Sequence, residues 1–552
     1  MTQFDAVVIG AGHNGLAAAA LLQKSGFRTL CLESKRYAGG MASTVELFEG
    51  FRFEIAGSLQ FPTSATVSDA LGLEALPTVD LDVMSVSLRG IGDEPVVYYT
   101  DPMKLLTHLG DVHGAEAVNG MAGLMAWSQG PTRAIGRFDA GVGPKTIDEM
   151  FACASSEFER SAIRDMLFGS VVDVLDRYLP DAEKHGALRG MLSFLAVNTT
   201  YRGPATPGTA AALAFGLAMP DENTKLMKKF RGGIGALTTH LVAMLHAHGG
   251  ELRLRSTVEQ IVVSDGRVTG VRLGDGSTVE AGVVVSAIAP DLTVTTLLDP
   301  DVVPPDVRSR FTHVDHRGSY VQMHFALDGM PTFAAPYEML DDPEMQAAIG
   351  LFSTPEELQR QWEDSRRGIV PSDPAVAMQF PSVHDSSLAP EGKHAMSAFS
   401  MWFPLEYGRA SHGDLKVEMG RRVIDKIASV APDFESKIIR HTTFTPRHMG
   451  TMFGAPGGDY CHGFSPIHPS RFAGCTSAAQ AVTADPGSPS SPDSTRPPRR
   501  RPTPVSRRRV PSAWRHPRRT SPTDPRRPWR DRSRRPWQRP RGRNPSRWSW
   551  VL

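Results

Sequence analysis

Asp5-Ala6-Val7-Val8-Ile9-Gly10-Ala11-Gly12-His13-Asn14-Gly15-Leu16-Ala17-Ala18-Ala19-Ala20-Leu21-Leu22 is the stretch whose reading decides the fold. Its first five residues are almost wholly apolar, the pattern of a parallel strand buried on both faces. Three glycines follow in a GxGxxG spacing, and an Ala/Leu run with high helix propensity comes directly after them. A second apolar run, Arg28-Thr29-Leu30-Cys31-Leu32, ends on Glu33. Strand, glycine turn, helix, strand and acid in this order form the dinucleotide-binding fingerprint. In that fingerprint Gly10 permits the tight turn, Gly12 lets a diphosphate approach the backbone, and Gly15 allows close helix–strand packing. The helix N-terminus, which carries His13 and Asn14, turns N–H groups and a positive dipole end toward the phosphates. Glu33 is placed to accept hydrogen bonds from ribose hydroxyls.

Downstream of the acid comes Arg36-Tyr37-Ala38-Gly39-Gly40-Met41-Ala42-Ser43-Thr44. The Gly39-Gly40 pair implies a second close approach of the backbone to the cofactor. With these residues the chain resembles the phytoene desaturase and amine oxidase group of FAD-dependent oxidoreductases. The form Gly12-His13-Asn14-Gly15 is most similar to the carotenoid-oxidoreductase branch. The resemblance implies FAD as cofactor, held by Gly10, Gly12, His13, Asn14, Gly15, Glu33, Gly39, Gly40 and Met41. It also implies a contact between the backbone near Thr257-Val258 and the adenine side, which adds Val258 to the set. Met41 stands where the group usually has Arg, so a charged contact near the flavin is replaced.

Composition bounds the remaining functions. The formal net charge of +1 averages two unlike parts. Residues 476–552 hold 20 Arg, no Lys, 4 Asp and no Glu, a net +16, against −15 for residues 1–475. An acidic body is not expected to bind nucleic acid. The four cysteines, Cys31, Cys153, Cys461 and Cys475, form no CxxC pair. Neither a metal site nor a dithiol redox centre is therefore expected, and Cys31 reads as a small core residue. A first strand beginning by residue 5 leaves no visible leader, and no apolar run approaches the ~18 residues that span a bilayer. The expected location is cytoplasmic, with peripheral membrane contact left open.

Along the chain, residues 50–55 alternate as a strand. Residues 101–227 are mostly helical, with Asp101 as an N-cap ahead of Pro102. One long helical pattern covers residues 146–179, with Met150, Phe151, Phe158, Ile163, Met166, Leu167, Val171, Val172 and Leu175 apolar. This set reads first as core and second as the lining of an apolar substrate tunnel. A helix carrying Leu237, Leu241, Met244 and Leu245 ends at Gly249-Gly250. Strands over 252–263, 268–273 and 278–286, joined by Asp265-Gly266 and Asp275-Gly276, form a β-meander. Two further strands are expected at 320–327 and 375–380, with a polar helix near 355–367 between them. His384-Asp385 reads as turn structure, since adjacent loop side chains rarely converge. His462 reads as a loop-structuring residue or as one facing the substrate side of the flavin.

The fold class expected is α/β. A Rossmann-like FAD-binding domain, with parallel sheet and β-meander, would span residues 1–70 and 229–300. An inserted α+β substrate domain would comprise a helical part, 71–228, and a sheet and return, 301–463. A disordered Arg/Pro-rich tail would take 464–552. The strand and glycine-rich helix start that close the flavin site in this group are not found. Residues 476–552 instead contain 15 Pro and 5 of the 8 Trp, a composition that builds no core. Three readings of that tail stay open: a basic binding segment, a solvated extension, and translation out of frame from GC-rich DNA, the last being favoured.

The resemblance implies hydride transfer from a C–H bond of an apolar or amine-like small molecule to flavin N5, with oxygen, a quinone or another acceptor taking the electrons. No residue pattern marks a catalytic side chain. The alternative is a catalytically impaired remnant that lacks the closing motif.

Overall fold

The computed structural model describes residues 3–460, apart from residues 61, 89–93, 137, 139–144, 219–227, 317–319 and 405–410, together with Gln480–Ala481. Cys461, Cys475, His462 and the rest of the Arg/Pro-rich tail lie outside the described residues.

The chain opens with β1 (Gln3–Ile9), α1 (His13–Lys24) and β2 (Thr29–Leu32), followed by a hairpin of β3 (Thr44–Phe48) and β4 (Phe51–Glu54). Helix α2 (Ala65–Leu71) precedes β5 (Thr78–Val79), β6 (Val83–Leu88) and β7 (Val96–Tyr99). A helical array follows: α3 (Pro102–His108), α4 (Ala115–Ile135), α5 (Ile147–Ala152), α6 (Glu157–Phe168), α7 (Val171–Tyr178), α8 (Gly186–Thr200) and α9 (Ala210–Leu217). The chain then returns through β8 (Lys229–Phe230), α10 (Gly235–Ala247), β9 (Glu251–Arg253), β10 (Val258–Ser264), β11 (Arg267–Leu273) and β12 (Thr278–Ser286). Five more strands complete a second sheet: β13 (Tyr320–Leu327), β14 (Ile349–Leu351), β15 (Val376–Gln379), β16 (His394–Met401) and β17 (Ile438–Phe444).

The first sheet runs β10-β11-β12-β1-β2-β9. β1 lies parallel to both β12 and β2, and β2 lies parallel to β9. Gln480–Ala481 adds a short antiparallel pairing to β12 at Val285–Ser286. β1 is apolar throughout because both of its faces are covered. Val8 packs with Leu16, Ala19 and Ala20 of α1 and Leu237, Leu241 and Leu245 of α10. Val7 and Ile9 point the other way, into Leu30, Ile261, Val271 and Val284. Each such side chain contributes about 1.5–3 kcal/mol when fully buried.

One expected strand divides in two. Residues 252–263 alternate without a break, but the backbone turns at Arg255, whose φ is +55°. Its N–H donates to the Lys35 carbonyl at 2.9 Å, and Ser256 N–H donates to the Glu33 carbonyl at 2.8 Å. β9 therefore extends the parallel sheet while β10 starts the meander. No Gly or Pro marks that turn, so a period-2 pattern passes over it. The Asp265-Gly266 turn is as expected, with both residues in the left-handed region at φ +51° and +73°.

The second sheet has the order β17-β13-β16-β15-β14-β6-β7. All eight residues of β13 are buried. β6 and β7 belong to this sheet, so the part of the chain expected as helical from residue 71 begins with strands; the helices start at Pro102. There Asp101 accepts from Met103 and Lys104 N–H groups, as the cap reading required. The long helical pattern expected over 146–179 is three helices, restarted by caps at Thr146, Ser156 and Ser170. Met150, Ile163, Met166, Leu167, Val171 and Leu175 are buried in one core, whereas Phe158 is 51% exposed. Among the described residues, no helix is long and apolar enough to cross a membrane.

Candidate functional site

The C-terminal edge of β1 and β2 is where a parallel sheet of this kind offers a crevice. Gly10 leaves β1 at φ +94°, and its N–H donates to the Leu32 carbonyl at 2.8 Å. Ala11 N–H donates to Glu33 Oε2 at 2.8 Å. Gly12 is the N-cap of α1; no side chain caps that helix and no acid sits in its first turn. The glycines differ in what surrounds them. A Cβ on Gly15 would lie 1.9 Å from the Gly10 carbonyl oxygen, so this glycine is required by packing. A Cβ on Gly12 would meet nothing within 4 Å. His13 is exposed and Asn14 half-buried beside that open space.

The second glycine turn closes on the first. Gly39 N–H donates to the Ala11 carbonyl at 2.7 Å, and a Cβ on Gly40 would lie 3.3 Å from the Gly12 Cα. Met41 follows with a half-buried side chain, and its carbonyl accepts from Gly57 N–H at 3.2 Å. Glu33 Oε1 accepts from Lys35 N–H at 2.8 Å. Val258 begins β10 just beyond the two backbone bonds that tie residues 255 and 256 to Lys35 and Glu33. The ten residues singled out in the sequence thus come to one edge of one sheet. Cys31, beneath them, is buried; burial first, and the Glu33 charge second, push its thiol pKa up to about 12. It stays protonated and serves as core.

Sequence reading missed the residues that hold the second turn. Ser43 Oγ donates to the Gly40 carbonyl at 2.7 Å, and Thr238 Oγ1 donates to that of Ala42 at 3.2 Å. Gly235 N–H donates to Thr44 Oγ1 at 2.9 Å, and Ile234 N–H to Glu54 Oε1 at 2.8 Å. The Gly232-Gly233 pair ahead of α10 was the available signal. Asp385 accepts from Gly232 N–H at 2.5 Å and from Ser387 N–H at 3.1 Å, which gives it the structural role expected of that turn.

His316 was not singled out by any pattern. Its Nδ1 lies 3.2 Å from Asp459 Oδ2 and its Nε2 2.9 Å from Asp291 Oδ2, the latter an ion-pair contact off the ideal hydrogen-bond line. Burial opposes the imidazolium, but the two carboxylates outweigh it and raise the pKa to about 9. Asp291 follows the end of β12, beside Ile288, whose side chain packs against Gly10.

A dinucleotide fits what is present: an uncapped helix start, open space over Gly12, and a carboxylate whose Oε2 carries a single bond, from Ala11 N–H. Glu33→Ala is expected to weaken FAD binding by about 1–3 kcal/mol, the range for a lost charge-assisted hydrogen bond; a fluorescence titration of FAD reads this directly, and unchanged affinity removes Glu33 from the site.

Comparison with known proteins agrees with this fold. Residues 8–71 match the NAD(P)-binding Rossmann-like domain, and residues 166–369 match flavin containing amine oxidoreductase. The chain is 27% identical over 516 residues to pyridine nucleotide-disulfide oxidoreductase domain-containing protein 2 of Rattus norvegicus, covering 85% of this chain and 86% of the rat protein. It is 26% identical to a lycopene-forming phytoene desaturase of Pseudescherichia vulneris, over 81% of this chain and 88% of that one. It is 23% identical to the chloroplastic prolycopene isomerase of Daucus carota, over 83% and 72% respectively. Wild-type putrescine oxidase bound to putrescine shares the fold, with a TM-score of 0.52 at 17% identity over 80% of this chain and 84% of that structure.

Proposed function

Because the chain belongs to the superfamily of flavin-containing amine oxidoreductases and phytoene desaturases, we propose that it is an FAD-dependent oxidoreductase acting on a C–H bond of an apolar or amine-like small molecule. The observation that carries this reading is the open space over Gly12, with Gly39 N–H on the Ala11 carbonyl and Ala11 N–H on Glu33 beside it. FAD, when bound, would supply the electron sink for a hydride leaving the substrate carbon. The chain's own residues then divide the remaining work. Gly10, Gly12 and the start of α1, with His13 and Asn14, receive the diphosphate. Glu33 accepts from the ribose hydroxyls, and the backbone near Val258 borders the adenine. Gly39, Gly40 and Met41, held by Ser43, Thr44 and Thr238, carry the chain on toward the ring. The buried helices and second sheet exclude water and orient the substrate, which hydride transfer needs more than it needs acid–base groups.

A second reading, an impaired remnant of the same superfamily, is favoured by the change of composition at residue 476. Purification decides between them. A yellow protein with flavin absorbance, or a colourless one that turns yellow with added FAD, supports the enzyme; a colourless protein that takes up no FAD supports the remnant.

A further inference from the structure

Lys229, in β8, is 6% exposed, and its Nζ has no hydrogen-bond partner among the described residues. His384 Nε2 is also buried and unpartnered among them. The two meet at one joint. Gly232, just past β8, donates its N–H to Asp385, the neighbour of His384, at 2.5 Å. Glu54, 5% exposed, forms a third side and reaches the same segment through Ile234 N–H. The Lys229 charge is felt on both neighbours. After burial it is the second influence lowering the His384 pKa, and it opposes the rise that burial imposes on Glu54.

Burial pulls the Lys229 pKa down, with the Glu54 charge opposing, and leaves the amine without a hydrogen-bond partner among the described residues, the state of a group poised to meet a ligand. The chemistry of the joint narrows what that ligand is. Lys229 Nζ donates, and His384 Nε2 is free to donate. Asp385 is already occupied by Gly232 N–H and by the N–H and Oγ of Ser387. The carboxylates of Glu54 and Asp385 disfavour an anion, and Lys229 disfavours a cation. A neutral acceptor oxygen suits the donors without adding charge.

We propose that Lys229 and His384 form a subsite for a neutral carbonyl oxygen, at the joint between β4, β8 and the turn that enters β16. The oxygen belongs either to the flavin ring or to a separate ligand with an apolar body, such as a ketone substrate or a quinone acceptor. The first source rests on the FAD reading above; the second does not.

The test uses the full chain, with FAD binding followed by flavin fluorescence and 2-decanone binding by calorimetry, in the parent, Lys229→Met, Lys229→Gln and His384→Leu. Circular dichroism checks folding. A tenfold or greater loss of FAD affinity in Lys229→Met, partly recovered in Lys229→Gln, supports the flavin oxygen. Unchanged FAD affinity with a tenfold or greater loss of 2-decanone affinity supports a separate ligand. A parent that binds 2-decanone through Lys229 but takes up no FAD sinks the flavin reading and leaves the subsite standing. If Lys229→Met does not fold, His384→Leu decides by the same readouts. Variants that match the parent in both titrations, or a parent that binds neither compound, overturn the proposal.

Discussion

Gly12→Ala is expected to fold like the parent and to bind FAD at least about 100-fold more weakly, roughly 2.7 kcal/mol. The expectation comes from where the new methyl would go. Gly12 has φ −71° and ψ 172°, a conformation any residue adopts. A Cβ there touches nothing within 4 Å, so the fold loses no more than about 1 kcal/mol from a poorer N-cap residue. The methyl instead occupies the space assigned to the diphosphate. Gly15→Ala is its control. There the Cβ meets a backbone oxygen at 1.9 Å, and neither partner can rotate away. Overpacking against a rigid neighbour costs about 1–3 kcal/mol or more, so this variant loses stability whether or not a cofactor binds. Thermal melts of the two apo variants, with FAD titration of Gly12→Ala, separate the effects. Parental FAD affinity in Gly12→Ala would remove the cofactor from this turn.

The second large effect is a pH-dependent loss of stability centred on His316. Its folded pKa, about 9, stands above the ordinary value of 6.5. Below about pH 6.5 the imidazolium is charged in folded and unfolded chain alike, and the full contribution of Asp291 and Asp459 is present. As pH rises through about 9 the folded chain gives up the proton and the contribution is lost. A shift of this size corresponds to about 3 kcal/mol. Urea unfolding at pH 6 and pH 9.5, in the parent and in His316→Gln, measures the effect. The parent should lose about 3 kcal/mol more than the variant between the two pH values; parallel losses would show that the imidazolium holds nothing together.

Much of the first sheet was legible because its signals are local. β1 and β2 read from their apolar runs, the meander from two Asp-Gly turns, and α10 from its leucines. The glycines and Glu33 stood out by their spacing, but their contacts, Ala11 N–H to Glu33 and Gly39 N–H to the Ala11 carbonyl, join residues more than 20 apart and form only once the strands pair. The second sheet was less legible. β13 and β15 stood out, but β16, His394-Ala395-Met396-Ser397-Ala398-Phe399-Ser400-Met401, carries His and Ser on a buried strand. Two of its polar groups find partners on other strands and loops: His324 Nδ1 meets Ser397 Oγ at 2.9 Å, and Ser400 Oγ donates to the Ala375 carbonyl at 2.7 Å. The long helical pattern over 146–179 likewise showed its apolar face but not its breaks, because Ser156 and Ser170 act as caps only where the chain has already turned.

By itself, then, the order of residues determined that a glycine turn leaves a buried parallel strand, that a helix starts over it, and that an acid waits one strand away. Each of these is written in a local pattern: an apolar run, a glycine spacing, or an acid closing the second strand. The tertiary structure alone decided that His316 lies between Asp291 and Asp459, 143 residues from the latter, and that Gly232 meets Asp385 across 153, bringing Lys229 to His384. Charges that far apart in the chain acquire partners only when packing removes the water and the distance between them.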